Sequence, residues 1–453
     1  MGRTSPVFIC SACGHHSPKW QGQCPHCDEW NTLEAGIAPR SRAATSNPAS
    51  TPRALDSTLG ASPERLPSGQ EELDRVFGGG IVPGSVTLLG GDPGIGKSTL
   101  LLQVAAHVAG IRGVLYASGE ESVSQVGLRA QRLGLSAATL SCVSESDLQA
   151  IIALAGEHKA GLLVVDSIQT VQSAAVAGSA GGVAQLRECT AELVRFAKST
   201  ATAVIIIGHV TKEGMIAGPR MLEHLVDTVL YFESEAGSRY RIVRATKNRF
   251  GAVNELGFFA MTEGGLKEVR NPSAIFLSRA PEPAAGSIVT VTREGGRPLL
   301  IELQALVDHM RFGAPRRIAQ GLDSNRVAML LAVMNRHAGV SLQDYDVFVN
   351  VVGGIEIGET GWDLPVVIAL ASSLSDKVVP NSLISFGEIG LTGEVRPVAY
   401  GEERLKEAQK QGFKLALVPK ENAPRKPLQG LDVVPVARVG EALELAFKSS
   451  GSS

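Results

Sequence analysis

The sequence predicts an α/β core flanked by a small metal-held module before it and an α+β domain after it. Three observations predict this. A glycine-rich turn, Gly91-Asp92-Pro93-Gly94-Ile95-Gly96-Lys97-Ser98, sits between a strand pattern and a helix pattern; a second apolar strand ends in Asp166; and two Cys-x2-Cys pairs lie close together near the start. At 453 residues and about 150 residues per domain, roughly three domains are expected. With 44% hydrophobic residues, 19% charged residues and a net charge of -2, neither a disordered chain nor a generally basic nucleic-acid binder fits, so any nucleic-acid site is a local patch. No apolar run reaches transmembrane length, and Met1 to Cys10 lacks the apolar stretch of a secretory signal; a cytoplasmic protein without membrane contact is expected.

The first module spans 1–33. Cys10-x2-Cys13 and Cys24-x2-Cys27 can each turn two thiolates toward one tetrahedral Zn²⁺, and four thiolates leave no open position for water, so the site is structural. Trp20 and Trp30 are expected to pack on these knuckles or else to form a binding surface, whereas Cys142 and Cys189 stand alone in apolar or helical contexts. Residues 34–66, rich in Ala, Pro, Ser, Thr and Arg, read as a flexible linker whose arginines are solvated.

The core is expected over 67–272. Strand Ser85 to Leu89 precedes the glycine turn and helix Ser98 to Ala109 follows it, the context a phosphate loop requires. Its glycines let backbone N–H groups curl around a phosphate, Lys97 reaches the outer phosphates, Ser98 ligates Mg²⁺, and Thr99 continues the nucleotide contact. Gly161 to Ser167 is a buried-type strand whose Asp166 holds the magnesium through water. Strand Gly113 to Ala117 ends at Ser118-Gly119-Glu120-Glu121-Ser122; Glu120 is the catalytic candidate that polarises water, while Glu121 either shares that role or caps the helix starting near Ser122. Strands at Ala203 to Ile207, Val226 to Phe232, Tyr240 to Ala245 and Gly257 to Met261 continue the pattern, so a parallel sheet gives way to a strand-rich edge, the RecA-like order.

The segments Ser118 to Ser122, Gly208 to Gly214, Gly218 to His224 and Lys247-Asn248-Arg249-Phe250-Gly251 resemble those of the bacterial RadA (Sms) family of DNA repair proteins. The likeness spans nearly the whole chain, with a four-cysteine knuckle, an ATPase core and a Lon-protease-like domain in the same order. It implies an ATP-dependent, helicase-type motor that hydrolyses ATP in response to single-stranded DNA, acts on branched recombination intermediates beside the RecA recombinase, and assembles as a homo-hexamer. DNA-facing loops are then expected at Val171 to Val183, through Gln172 or Gln185 with Arg187 beyond, and at Lys212 to Leu222, through Lys212 and Arg220. Lys247 and Arg249 are expected either on the neighbouring subunit's nucleotide or on DNA, and His209 is either a core histidine or a phosphate sensor.

The last domain is expected over 287–447, with its strongest Lon-like stretch at Ser385 to Val398. The proteolytic dyad is absent from that alignment: Asp363 falls where the serine belongs and Glu402 where the lysine belongs, so no peptidase activity is expected. Arg311, Arg316, Arg317 and Arg326 form a candidate phosphate-facing patch, and residues from Lys448 onward read as disordered. A regulatory ATPase with the same phosphate loop and a nonenzymatic hexameric DNA-binding scaffold are the competing classes; intact Lys97, Asp166 and Glu120 argue against the scaffold.

Overall fold

The structure is a computed structural model that describes residues 7–10, 16–17, 19–25, 28–36, 64–136, 139–209, 219–234, 238–277, 284–310 and 313–448. Cys13, Cys27, Lys212, Arg311, most of the predicted linker and the final residues lie outside these, as does the side chain of Arg220. The chain divides into two compact units, Met1–Ser62 and Pro63–Ser453.

In the first unit, β1 (Val7–Cys10) pairs antiparallel with β2 (His16–Ser17) and β3 (Leu33–Gly36). Strand β3 continues into the stretch read as linker. Around Cys24 the backbone closes on itself: the Cys24 N–H donates to Glu29 O and the Asp28 N–H to Cys24 O. Cys10 and Cys24 are buried together with Phe8 against them. The tryptophans do not pack on the knuckles. Trp20 is 58% and Trp30 68% exposed, and only the edge of the Trp30 ring lies near Gly22, because a module this small has little interior for an indole.

The second unit begins with helix α1 (Glu71–Phe77). Its large sheet is built from β4 (Val86–Gly91), β5 (Val114–Ser118), β6 (Leu140–Ser144), β7 (Leu162–Asp166), β8 (Ala203–His209), β9 (Thr228–Glu233), β10 (Tyr240–Asn248), β11 (Leu256–Thr262) and β12 (Gly265–Glu268). The order β12-β11-β10-β9-β4-β8-β7-β5-β6 is the RecA-like one, parallel from β6 to β9 and antiparallel beyond. Helices α2 (Lys97–Ala109) and α3 (Val123–Arg132) cover one face with α1. Helices α4 (Leu148–Glu157) and α5 (Val183–Thr200) cover the other, and the short α6 (Pro219–Leu222) precedes β9. Because side chains alternate, Leu162 and Val164 of β7 enter the first core and Leu163 and Val165 the second; burial on both faces explains why these strands read as unbroken apolar runs.

After the single turn α7 (Ser273–Phe276) come β13 (Ser287–Glu294), β14 (Arg297–His309), β15 (Arg317–Gln320), α8 (Ser324–Val333), β16 (Tyr345–Val351), α9 (Asp363–Ser375), β17 (Leu383–Ser385), β18 (Glu388–Ile389), β19 (Val395–Arg396), α10 (Gly401–Lys410), β20 (Leu415–Pro419), β21 (Asp432–Val436) and α11 (Val439–Lys448). They form a seven-stranded mixed sheet, β15-β16-β14-β13-β17-β20-β21, the Lon-like α+β domain. Leu256 and Phe258 of β11 and Phe276 of α7 share its apolar core, with the Phe258 and Phe276 rings 5.8 Å apart. Buried Glu72 of α1 accepts a hydrogen bond from the Phe258 N–H and pairs with Arg297 of β14 at 2.8 Å. The packing is therefore continuous from the ATPase sheet into the C-terminal sheet.

Candidate active site

Strand β4 delivers the glycine turn to the carboxyl edge of the parallel sheet. Gly94 and Gly96 take φ of 77° and 116°, and a Cβ on Gly96 would stand 2.8 Å from Met261 Cε, so only glycine fits there. Gly96 caps α2 without any side-chain hydrogen bond, which leaves the first-turn N–H groups facing into the loop, an anion seat. Lys97 is buried and donates to the Gly91 and Asp92 carbonyls at 2.7 and 2.9 Å. Burial pushes its pKa down to about 8, against the pull of Asp166, Asp92 and Glu120. Ser98 and Thr99 are half-buried behind it; Asp92, Pro93 and Gly94 are exposed and Ile95 is buried.

Register brings the acids to the same edge. Ser118 of β5 stands opposite Asp166 of β7, and the Gly119 N–H donates to Asp166 O. Asp166 is buried, and its Oδ2 accepts a 2.6 Å hydrogen bond from the Tyr116 hydroxyl. Tyr116 is also buried; burial first and Asp166 second hold its phenol well above its usual pKa. Glu120 Oε1 accepts from Ser167 Oγ at 2.5 Å and lies 3.3 Å from His209 Nε2, at the end of β8. His209 thus belongs to the site's rim. Glu121 pairs instead with Arg129 of α3, while Ser122 and Gln125 form the capping box, so Glu121 braces the helix without being its cap.

A cavity of about 510 Å³ opens beside Thr99, lined by Arg132, Leu133, Met261, Thr262 and Glu263. Sequence reading misses these residues; the only trace is a polar break, Thr262-Glu263, ending an apolar strand. A larger cleft of about 1190 Å³ lies away from the phosphate loop, between β10 and the C-terminal sheet. Its Arg244 is already paired with Glu233 and Glu294.

Other expected residues are placed differently. Gln185 is buried and spends its amide on Ser173 O, Val176 O and the Ser173 N–H; it props up the loop from inside instead of facing a ligand, because it shares the buried side of α5 with Leu186 and Cys189. Gln172 and Arg187 remain exposed. Strand β10 runs three residues past its expected end, through a bulge between Ala245 and Lys247. Lys247 donates to Glu223 O and Val226 O, and Arg249 pairs with Asp227 at 3.1 Å. Asn248 stands opposite Thr228 of β9 and Phe232 opposite Gly91, so this pair of cations sits about 13 Å along the strand from its own phosphate loop, on the opposite edge.

In the first unit, buried Cys10 and Cys24 come one from each knuckle, as a shared four-thiolate site needs. Among the described residues no cluster of three or more His, Cys, Asp or Glu is set to hold a metal. In the Lon-like domain Asp363 is fully buried and bound by Arg326 and by the Ile389 N–H, and Glu402 is exposed on α10 beside Lys406 at 2.8 Å. Ser372 donates to the Lys377 backbone O and accepts from Gly286 N–H, and Ser373 accepts from Val307 N–H, so these bonds engage backbone groups and no lysine amine. The arginine patch is likewise occupied: Arg316 pairs with Asp346, and Arg317 donates to Tyr345 O and Leu342 O.

Comparison with known proteins fits this geometry. The AAA domain family matches residues 50–215, the rubredoxin metal binding domain 8–35, and subunit ChlI of Mg-chelatase 322–422. The DNA repair protein RadA of Pseudomonas aeruginosa is 51% identical over 453 residues, covering 99% of this chain and 100% of that protein. The chain belongs to the RadA family of DNA repair proteins. RadA of Escherichia coli is 49% identical over 450 residues, covering 97% of this chain and 98% of its own length, and RadA of Bacillus subtilis is 49% identical over 458 residues, covering 99% and 100%. Among solved structures, the RadB recombinase aligns with 45% of this chain and all of its own at 23% identity and a TM-score of 0.36. The match to the AAA domain family covers the phosphate loop and Asp166, and among the described residues no helix is long and apolar enough to cross a membrane.

Arg326→Met strands the buried Asp363 carboxylate and should cost about 3–5 kcal/mol in urea unfolding of the C-terminal domain. Adding Asp363→Leu should recover most of it, and an unchanged single variant would contradict the assigned role of the pair.

Proposed function

We propose that this chain is a cytoplasmic, DNA-stimulated ATP hydrolase that moves on single-stranded and branched DNA during recombination. The supporting observation is the convergence of Lys97, Asp166, Glu120, Ser167 and His209 on one sheet edge, from which the segments after β7 and β8 leave. Lys97 exchanges its two carbonyl partners for the outer phosphates of ATP, while the N–H groups of Gly94 to Thr99 line the phosphate chain. The residues fit Mg²⁺, with the Ser98 hydroxyl and the Asp166 carboxylate as its protein partners; when bound, it neutralises charge on the phosphates. Glu120 has Oε1 occupied by Ser167 and turned to His209, leaving Oε2 to orient and deprotonate the attacking water. The cavity beside Thr99 is the right size for the nucleoside end.

Lys247 and Arg249 are proposed to act on the nucleotide of a neighbouring subunit or on DNA, since their own phosphate loop is on the other edge. Arg187, Lys212 and Arg220 are proposed DNA contacts, the ring is proposed to be hexameric with the Lon-like domain as its non-proteolytic platform, and RecA is the proposed partner. The Cys10, Cys13, Cys24 and Cys27 thiolates are proposed to hold one Zn²⁺.

ATP hydrolysis by sedimented, hexameric protein should rise several-fold with single-stranded DNA and vanish in Lys97→Ala, and the same preparations should leave unfolded protein uncleaved. Turnover by Lys97→Ala at the wild-type rate would remove the phosphate-loop assignment, and indifference to DNA would favour the regulatory ATPase. Elemental analysis of protein purified without chelators should return one zinc per chain; Cys10→Ala should lose it while ATP binding persists. Finding no zinc would reject the site.

A further inference from the structure

Two carboxylates meet at the sheet edge, and each is held by a hydroxyl. Ser167 holds Glu120 from the adjoining strand end, where a short side chain suffices. Asp166 is reached from further back. Tyr116 stands opposite Val164, two residues before Asp166 on β7, a separation of about 6.6 Å along a strand, which a phenol spans and a serine does not. Val164 and Tyr116 belong to the core under α2, so the ring is packed in that layer while its hydroxyl reaches Asp166 at the edge.

We propose that Tyr116 is the positioning residue for magnesium capture, fixing the orientation of Asp166 so that one carboxylate oxygen faces the metal site. This rests on the reading of Asp166 as the magnesium-side carboxylate. Both groups are buried, at 1% and 4% exposure, so neither can turn to water for a partner. Lys97, the nearest cation in the loop, gives its hydrogen bonds to Gly91 O and Asp92 O and leaves the orientation of Asp166 to Tyr116. With Oδ2 taken by the phenol at 2.6 Å, Oδ1 is the oxygen left for the hydrated ion. A freely rotating carboxylate loses this selection, and partners that orient a metal-side carboxylate typically matter 10–100-fold in metal affinity or activity. Tyr116→Phe keeps the ring in its apolar layer and removes only the hydroxyl.

The test is Mg²⁺ titration of the binding of a fluorescent ATP analogue at equilibrium, with wild type, Tyr116→Phe, Asp166→Asn and the double variant. Tyr116→Phe should raise the Mg²⁺ concentration at half-effect roughly tenfold and leave metal-free nucleotide binding unchanged. The double variant, which strands no buried charge, should match Asp166→Asn alone. A wild-type Mg²⁺ midpoint in Tyr116→Phe, or a further shift in the double variant over Asp166→Asn, overturns the proposal. If Asp166→Asn itself leaves the midpoint in place, the magnesium assignment of Asp166 falls and the proposal falls with it.

Discussion

The register of four parallel strands is the constraint on which the site depends. Ser118 pairs with Asp166, Val165 with Ile206, and Gly91 with His209, so β5 and β7 end together while β4 and β8 end together two residues further on, and all four turn out of the sheet at its carboxyl edge. Strand side chains alternate, and a one-residue slip of β7 would send Asp166 to the face covered by α4 and α5, away from Tyr116 and the phosphate loop. The apolar residues on both faces of β4, β7 and β8 forbid that slip, since it would exchange two separately packed cores. Function at the edge is therefore secured by packing in the interior.

This edge also joins the chemistry to the segments proposed to meet DNA. Ser167 begins the segment that Gln185 braces, and His209 is the last strand residue before the segment leading to α6. Glu120 touches one residue from each. The cations Lys247 and Arg249 lie on the far edge, held there by Glu223 O, Val226 O and the Asp227 carboxylate.

The motif-bearing strands are legible in the sequence because parallel strands buried on both faces are continuous apolar runs, and because glycine, lysine and aspartate stand at their ends. Residues whose role depends on a distant partner are not. Tyr116 is one phenol in an apolar strand, and its meaning comes from Asp166, fifty residues later. Gln185 reads as a DNA contact in the sequence, but the helix turns it inward; Arg316 and Arg326 read as free cations, but the fold sets Asp346 and Asp363 beside them. The aspartate at the position of the Lon nucleophile reads as a lost catalyst. The fold adds that it is half of a buried ion pair with Arg326.

Glu120, held through one oxygen by Ser167 and facing His209, is proposed to activate water beside the phosphate loop without contributing to ATP binding. Comparing Glu120→Gln with wild type for equilibrium binding of ATP with Mg²⁺ and for single-turnover hydrolysis tests it directly. Binding should stay within about twofold of wild type, and hydrolysis should slow by about a hundredfold or more. Hydrolysis at the wild-type rate by a variant that binds ATP normally would contradict it.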